Sequence, residues 1–177
     1  MNKLLVIALI VLAAIAAVWI GAYTGVLFGK PPVIPGNSTN PDIKTFQAAN
    51  ESVETMDGKP VIRLFSTTWC PHCVWIKETY DRVAKEYADA GKIVAYHWEL
   101  DTKDDTLTPE VEGEVPASEQ AVFAKFNPRN SIPTFVFGGK YWRIGNGYER
   151  EDSLELEEQE FRAVIEELIK EAQGQSA

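Results

Sequence analysis

Cys70 and Cys73 stand where a short apolar run meets a long amphipathic one, and that junction constrains the fold more than any other part of the chain. Val61-Ile62-Arg63-Leu64-Phe65 is short, apolar and β-rich, which predicts a buried strand. After the cysteines, Ile76, Tyr80, Val83, Ala84 and Tyr87 recur at helical spacing and mark one face of a long helix. Ala90-Gly91 supplies its stop, because glycine accepts the cap conformation. Ile93 to Leu100 predicts a second strand. Strand, helix, strand is a βαβ unit, so the two strands run parallel in an α/β domain.

The flanking segments extend this domain over residues 42–177. Asp42 to Gln47, with Ile43, Thr45 and Phe46, predicts a short strand, and Asp57-Gly58 a turn. Asp101 to Pro116 carries six acids and one lysine and reads as a solvated acidic insertion without the acid spacing of a calcium loop. Pro116 to Phe126 predicts a short helix on Ala121, Val122, Phe123 and Phe126. Thr134 to Phe137, then Gly138-Gly139, then Lys140 to Ile144 is a hairpin pattern. A final acidic helix has an apolar stripe of Phe161, Val164, Ile165, Leu168 and Ile169, with its glutamates read as a wet face.

Ahead of the domain, residues 4–28 carry no charge and are mostly Leu, Ile, Val and Ala. A helix of that length spans about 37 Å, enough to cross a hydrocarbon core of about 30 Å. We therefore expect residues 1–29 to be a transmembrane anchor; a cleaved signal sequence is the alternative, and the apolar run is long for one. Residues 30–41 hold four prolines and read as a semi-stiff linker. Lys3 and the terminal amine bias the amino terminus to the cytoplasm, which puts the folded part on the extracytoplasmic side. Asn37 and Asn50 match the glycosylation acceptor pattern. The formal net charge of −9 argues against a nucleic-acid partner.

A Cys-x-x-Cys that follows a strand and opens a helix is a redox signature. The helix amino terminus offers unpaired N–H groups and a positive partial charge, both of which favour thiolate. Pro71 suits the first turn. His72 adds a donor or a positive charge beside the sulfur and tunes the pair's poise. Cys73 shares the helix face of Ile76, Tyr80 and Val83 and points inward, while Cys70 should meet solvent and substrate. Cys70 is thus expected to form the mixed disulfide and Cys73 to resolve it. Two cysteines and two histidines do not build a four-ligand zinc site with this spacing, so neither a metal nor an organic cofactor is expected.

With these residues in place, residues 43–172 resemble the thioredoxin superfamily. The likeness rests on Phe65 to Cys73, on the strand ending Leu100-Asp101, and on Ser131-Ile132-Pro133-Thr134 before the hairpin. Trp69 and the Ile-Pro-Thr triplet are similar to thioredoxin itself, and Pro71-His72 to DsbA-type disulfide oxidases. The resemblance implies a central mixed sheet flanked by helices, a cis Ile132–Pro133 bond beside the cysteines, and a substrate groove formed by Trp69, Ile132, Pro133 and Thr134, with Trp75 nearby. Family members carry a buried acid six residues before the first cysteine; Leu64 stands there. By the same alignment the lysine partner of that acid falls at His97, which makes His97 a candidate for proton transfer. The implied activity is thiol–disulfide exchange with protein thiols and disulfides, in the oxidising direction, with a further redox partner to restore the pair. A reductase or isomerase of the same fold, and a binding or holdase module with idle cysteines, are the alternatives.

Overall fold

The computed structural model describes residues 35–36 and 38–175. The apolar run 4–28, residues 30–34 of the proline-rich segment and Asn37 lie outside them. Among the described residues, no helix is long and apolar enough to cross a membrane.

Eight strands form the sheet: β1 (Pro35–Gly36), β2 (Gln47–Ala49), β3 (Thr55–Met56), β4 (Lys59–Ser66), β5 (Val94–Glu99), β6 (Asp104–Asp105), β7 (Thr134–Phe137) and β8 (Tyr141–Ile144). Among the described residues three α-helices accompany them: α1 (Pro71–Asp89), α2 (Ala117–Phe126) and α3 (Leu154–Gln175). The order across the sheet is β1-β2-β8-β7-β4-β5-β6, with β3 paired to the start of β4. β4 and β5 are parallel, with Leu64 opposite His97 and Ser66 opposite Glu99. α1 makes the crossover between them, as the βαβ pattern requires. β7 runs antiparallel along the other side of β4, placing Phe135 opposite Leu64. Gly138 and Gly139 both take positive φ in the β7–β8 turn, and Asp57 and Gly58 do so between β3 and β4.

Alternation along the strands sorts the core into two layers. Ile62, Leu64, Phe135 and Phe137 face α1 and α3, meeting Ile76, Tyr80, Val83, Phe161, Ile165 and Leu168. Phe65, Trp98 and Val136 face the other way, against Phe123, Phe126 and Val115. Each fully buried side chain of this size stabilises the fold by about 1.5–3 kcal/mol. Rings in the first layer interlock, with Phe135 and Phe161 5.3 Å apart and tilted. The result is a three-layer α/β arrangement with its mixed sheet in the middle.

The structure corrects several local expectations. The strand expected over 42–47 begins only at Gln47. Ile43 and Phe46 do reach the core, but from a loop whose Lys44 and Thr45 N–H groups donate to Glu160 instead of to a neighbouring strand. The sheet also extends into the stretch read as linker, since Pro35–Gly36 pairs with Ala48–Ala49. The acidic insertion is not simply solvated. β6 lies within it, and Asp105 is buried, accepting the His97 and Leu107 N–H groups at 2.8 and 3.2 Å.

The acids of α3 are not all wet either. Glu157 and Glu160 are 0% and 2% exposed. Glu157 contacts Arg143 at 2.5 Å and accepts the Gly147 and Tyr148 N–H groups at 2.6 and 2.8 Å. Glu160 lies 3.5 Å from Arg143 and also holds the Thr45 hydroxyl at 2.6 Å. The Arg143 guanidinium stacks over the rings of Phe46 and Phe135 at 4.6 and 4.8 Å. This ionic knot fastens two loops, 44–45 and 147–148, to α3.

Candidate active site

β4 delivers the chain to the cysteines. It ends at Ser66, the turn Thr67-Thr68-Trp69 follows, Cys70 takes the cap position, and Pro71 begins α1. Proline costs nothing there because that N–H has no helical partner. The turn is held from β5's end by Asp101, whose carboxylate accepts the Thr68 N–H at 3.1 Å and the Thr68 hydroxyl at 2.5 Å. Slight burial opposes ionisation of Asp101, but the Thr68 hydrogen bonds outweigh it and hold the carboxyl below its usual range.

Both cysteines are free thiols, and both are buried. Cys73 is 2% exposed on the inner face of α1, as its helical position implies. Burial pushes its thiol up to about 12, opposed by an N–H from Thr67 and reinforced by neighbouring Cys70 and by the charge of Asp101. Cys70 is only 5% exposed, less than expected for the residue that should meet solvent. The exposed surface at this point belongs to Trp69, at 70%, and to Pro71, His72 and Val74.

Next to the start of α1 is a cavity of about 630 Å³ lined by His72, Ile132, Pro133, Asn146 and Glu149 among others. The Ile132–Pro133 bond is cis, as the resemblance implied. His72 does not stand alone. Its Nδ1 lies 2.7 Å from Glu149 Oε1, and Asn146 Nδ2 donates to both the His72 carbonyl and Glu149 at 2.9 Å. Burial opposes ionisation of Glu149, yet the His72 and Asn146 contacts keep its carboxyl below the usual range.

Thr134 is fully buried. Its hydroxyl donates to the Ser131 carbonyl and accepts from Asn127 Nδ2, at 2.7 and 2.8 Å, so its side chain braces the proline loop rather than lining the groove. Trp75 donates its indole N–H to Asp152 at 3.1 Å while packing on the core. His97 is fully buried on β5, directly opposite Leu64 of β4. Its ring bonds Ser66, Asp81 and Thr106. Asp81 lies eight residues along α1 from Cys73, a rise of about 12 Å, so His97 is not packed against the sulfurs themselves.

Asn127, Asn146 and Glu149 escaped the sequence reading. Asn127 left a faint trace, as an Asn-Pro step closing a short helix. Glu149 left none, because its partner His72 is 77 residues away. The sequence profile of the thioredoxin-like domain matches residues 47–161. No curated protein matches the chain.

Proposed function

We propose, from the premise that the chain belongs to the thioredoxin-like domain family, that it is a membrane-anchored thiol–disulfide oxidoreductase acting outside the cytoplasm on protein substrates. The observation that carries the redox reading is the placement of the Cys70/Cys73 pair at the start of α1, with His72 sharing one cavity with the cis Ile132–Pro133 loop. An extended polypeptide fits across that loop, with Trp69 as its exposed apolar contact. Cys70 exchanges with the substrate, Cys73 resolves, and His72 sets the poise. The helix terminus and His72 favour a thiolate leaving group at Cys70, which supports the oxidising direction. A separate redox partner then restores the disulfide.

The contact of His72 with Glu149 supports a second reading, a reductase, because a carboxylate beside the imidazole opposes a nearby thiolate. The reduction potential of the Cys70/Cys73 couple, equilibrated against glutathione, decides between them. We expect a value near that of strong oxidases, about −120 mV; a value near about −270 mV would establish the reductase instead.

Anchorage rests on the uncharged run 4–28 and on the charge bias across it. Protease added to intact cells is expected to degrade the domain; full protection until lysis would place the domain inside and refute this part of the proposal.

A further inference from the structure

We propose that the cavity beside the start of α1 binds a low-molecular-weight disulfide carrying α-amino-acid charges, of which cystine is the simplest, and that this disulfide reoxidises the Cys70/Cys73 pair. The inference rests on the thiol–disulfide exchange reading above. The sequence holds no third cysteine, so electrons leave the reduced pair only to a disulfide from outside. The cavity measures about 630 Å³, within the range of small-molecule sites, and is lined by His72, Ile132, Pro133 and much of segment 145–151. His72 stands two residues from Cys70. Their Cα atoms are therefore at most about 7.6 Å apart, which keeps a ligand on this wall close to the reactive sulfur.

The polar groups of the cavity divide into engaged and unengaged ones. Glu149 is engaged, by His72 at 2.7 Å and by Asn146 at 2.9 Å. Arg150 and Glu151 follow it on the short helical turn Glu149–Glu151 and line the same cavity. Both are exposed, and neither side chain has a hydrogen-bond or ion-pair partner among the described residues. Asn146 adds an acceptor. Its Nδ2 donates to the His72 carbonyl and to the Glu149 carboxylate, which only accept, so the amide orientation is fixed and Oδ1 is left over. That oxygen has no hydrogen-bond partner among the described residues, a costly state that a donor on a ligand relieves. One free cation, one free anion and one spare acceptor match an α-amino acid, its carboxylate on Arg150 and its ammonium on Glu151 and Asn146. The backbone of a protein substrate carries neither charge, so these groups are better matched by a small molecule.

In the reaction, Cys70 thiolate attacks one sulfur of cystine, the cystine S–S bond breaks, a cysteine thiolate leaves and a mixed disulfide remains. Cys73 thiolate then attacks Cys70 Sγ, the mixed bond breaks, the Cys70–Cys73 disulfide forms and the second cysteine leaves as thiolate. The protein pair loses two electrons and cystine gains them. The two thiol protons pass through solvent to the departing cysteines.

The test uses the reduced full chain, with oxidation followed by stopped-flow tryptophan fluorescence, since Trp69 adjoins Cys70. The probes are cystine, cystamine (ammonium only), dithiodipropionate (carboxylate only) and hydroxyethyl disulfide (uncharged). Each rate is divided by that of the same disulfide with free dithiothreitol, which removes differences in intrinsic reactivity. Cystine is expected to saturate and to react about tenfold or more faster than hydroxyethyl disulfide on this scale. Arg150→Ala should lower the cystine-to-cystamine ratio about fivefold, and Glu151→Gln the cystine-to-dithiodipropionate ratio by about as much. Glutathione disulfide, whose amino-acid charges stand farther from sulfur, is run alongside, and the faster of it and cystine identifies the disulfide that the site fits. Ratios that neither variant moves overturn the site, whatever the preference of the parent. A parent that exchanges with insulin but with no small disulfide also overturns the site and leaves the exchange reading standing. A parent inert toward both overturns the two together.

Discussion

Cys70→Ser is expected to reduce exchange with a protein disulfide to background, while Cys73→Ser retains attack and accumulates a mixed disulfide. The asymmetry follows from position. Cys70 caps α1 beside the His72 cavity, whereas Cys73 is 2% exposed within the helix face that packs on the sheet. Its thiol is pushed up to about 12 by burial. At pH 7 a thiol pushed that far up is almost wholly protonated and is ill suited to start the reaction on a substrate. It can still complete the reaction, because the mixed disulfide holds its target within reach and no encounter is needed. Insulin reduction and refolding of a reduced ribonuclease measure the loss, and non-reducing gels reveal the trapped adduct. Trapping by Cys70→Ser in place of Cys73→Ser would reverse the two roles.

The second large effect lies away from the sulfurs. Arg143→Ala is expected to lower the unfolding free energy by about 3–5 kcal/mol, the usual consequence of removing one partner from a buried ion pair. Glu157 and Glu160 would be left facing each other in a site that is 0% and 2% exposed. The aromatic rings of Phe46 and Phe135 would lose the guanidinium stacked on them as well. Arg143→Met combined with Glu157→Gln should recover part of the loss, because it removes one of the two stranded charges while keeping volume. Urea unfolding followed by tryptophan fluorescence gives both numbers. A loss under about 1 kcal/mol for Arg143→Ala would mean that the two glutamates are neutralised in some other way. The site should feel the change too. Glu157 holds the Gly147 and Tyr148 N–H groups, and Gly147 adjoins Asn146, which bonds His72.

Most of what positions the cysteines was legible from local pattern. β4, α1 and β5 announced themselves by period, and the glycine pair announced the β7–β8 turn, because each signal spans only neighbours in sequence. What pattern cannot supply is the identity of a distant partner. His72 finds Glu149 and Arg63 finds Glu119 across 77 and 56 residues, and no local spacing encodes either meeting. The buried acids of α3 are the instructive miss. Glu157 stands four residues before Phe161, and Glu160 four before Val164, so both lie on the apolar stripe. Their register announced burial, but composition suggested a wet face. An acid on a core-facing register calls for a search for its cation, which here was Arg143 on β8. Likewise the loop 42–46 offered strand-forming residues, but Glu160 captured its N–H groups first.

Among the described residues, each end of the sheet is finished by a strand of two residues, one containing Pro35 and the other made of Asp104 and Asp105. Under the proposed exchange with protein disulfides, the clients would include incompletely folded chains whose unpaired β-strands seek an edge. Proline withholds a donor, two carboxylates repel, and neither rim is long enough to seed a ladder. Under that reading such a client would find no template for cross-chain β-assembly along the described rims, and its productive landing would be beside the Cys70/Cys73 pair.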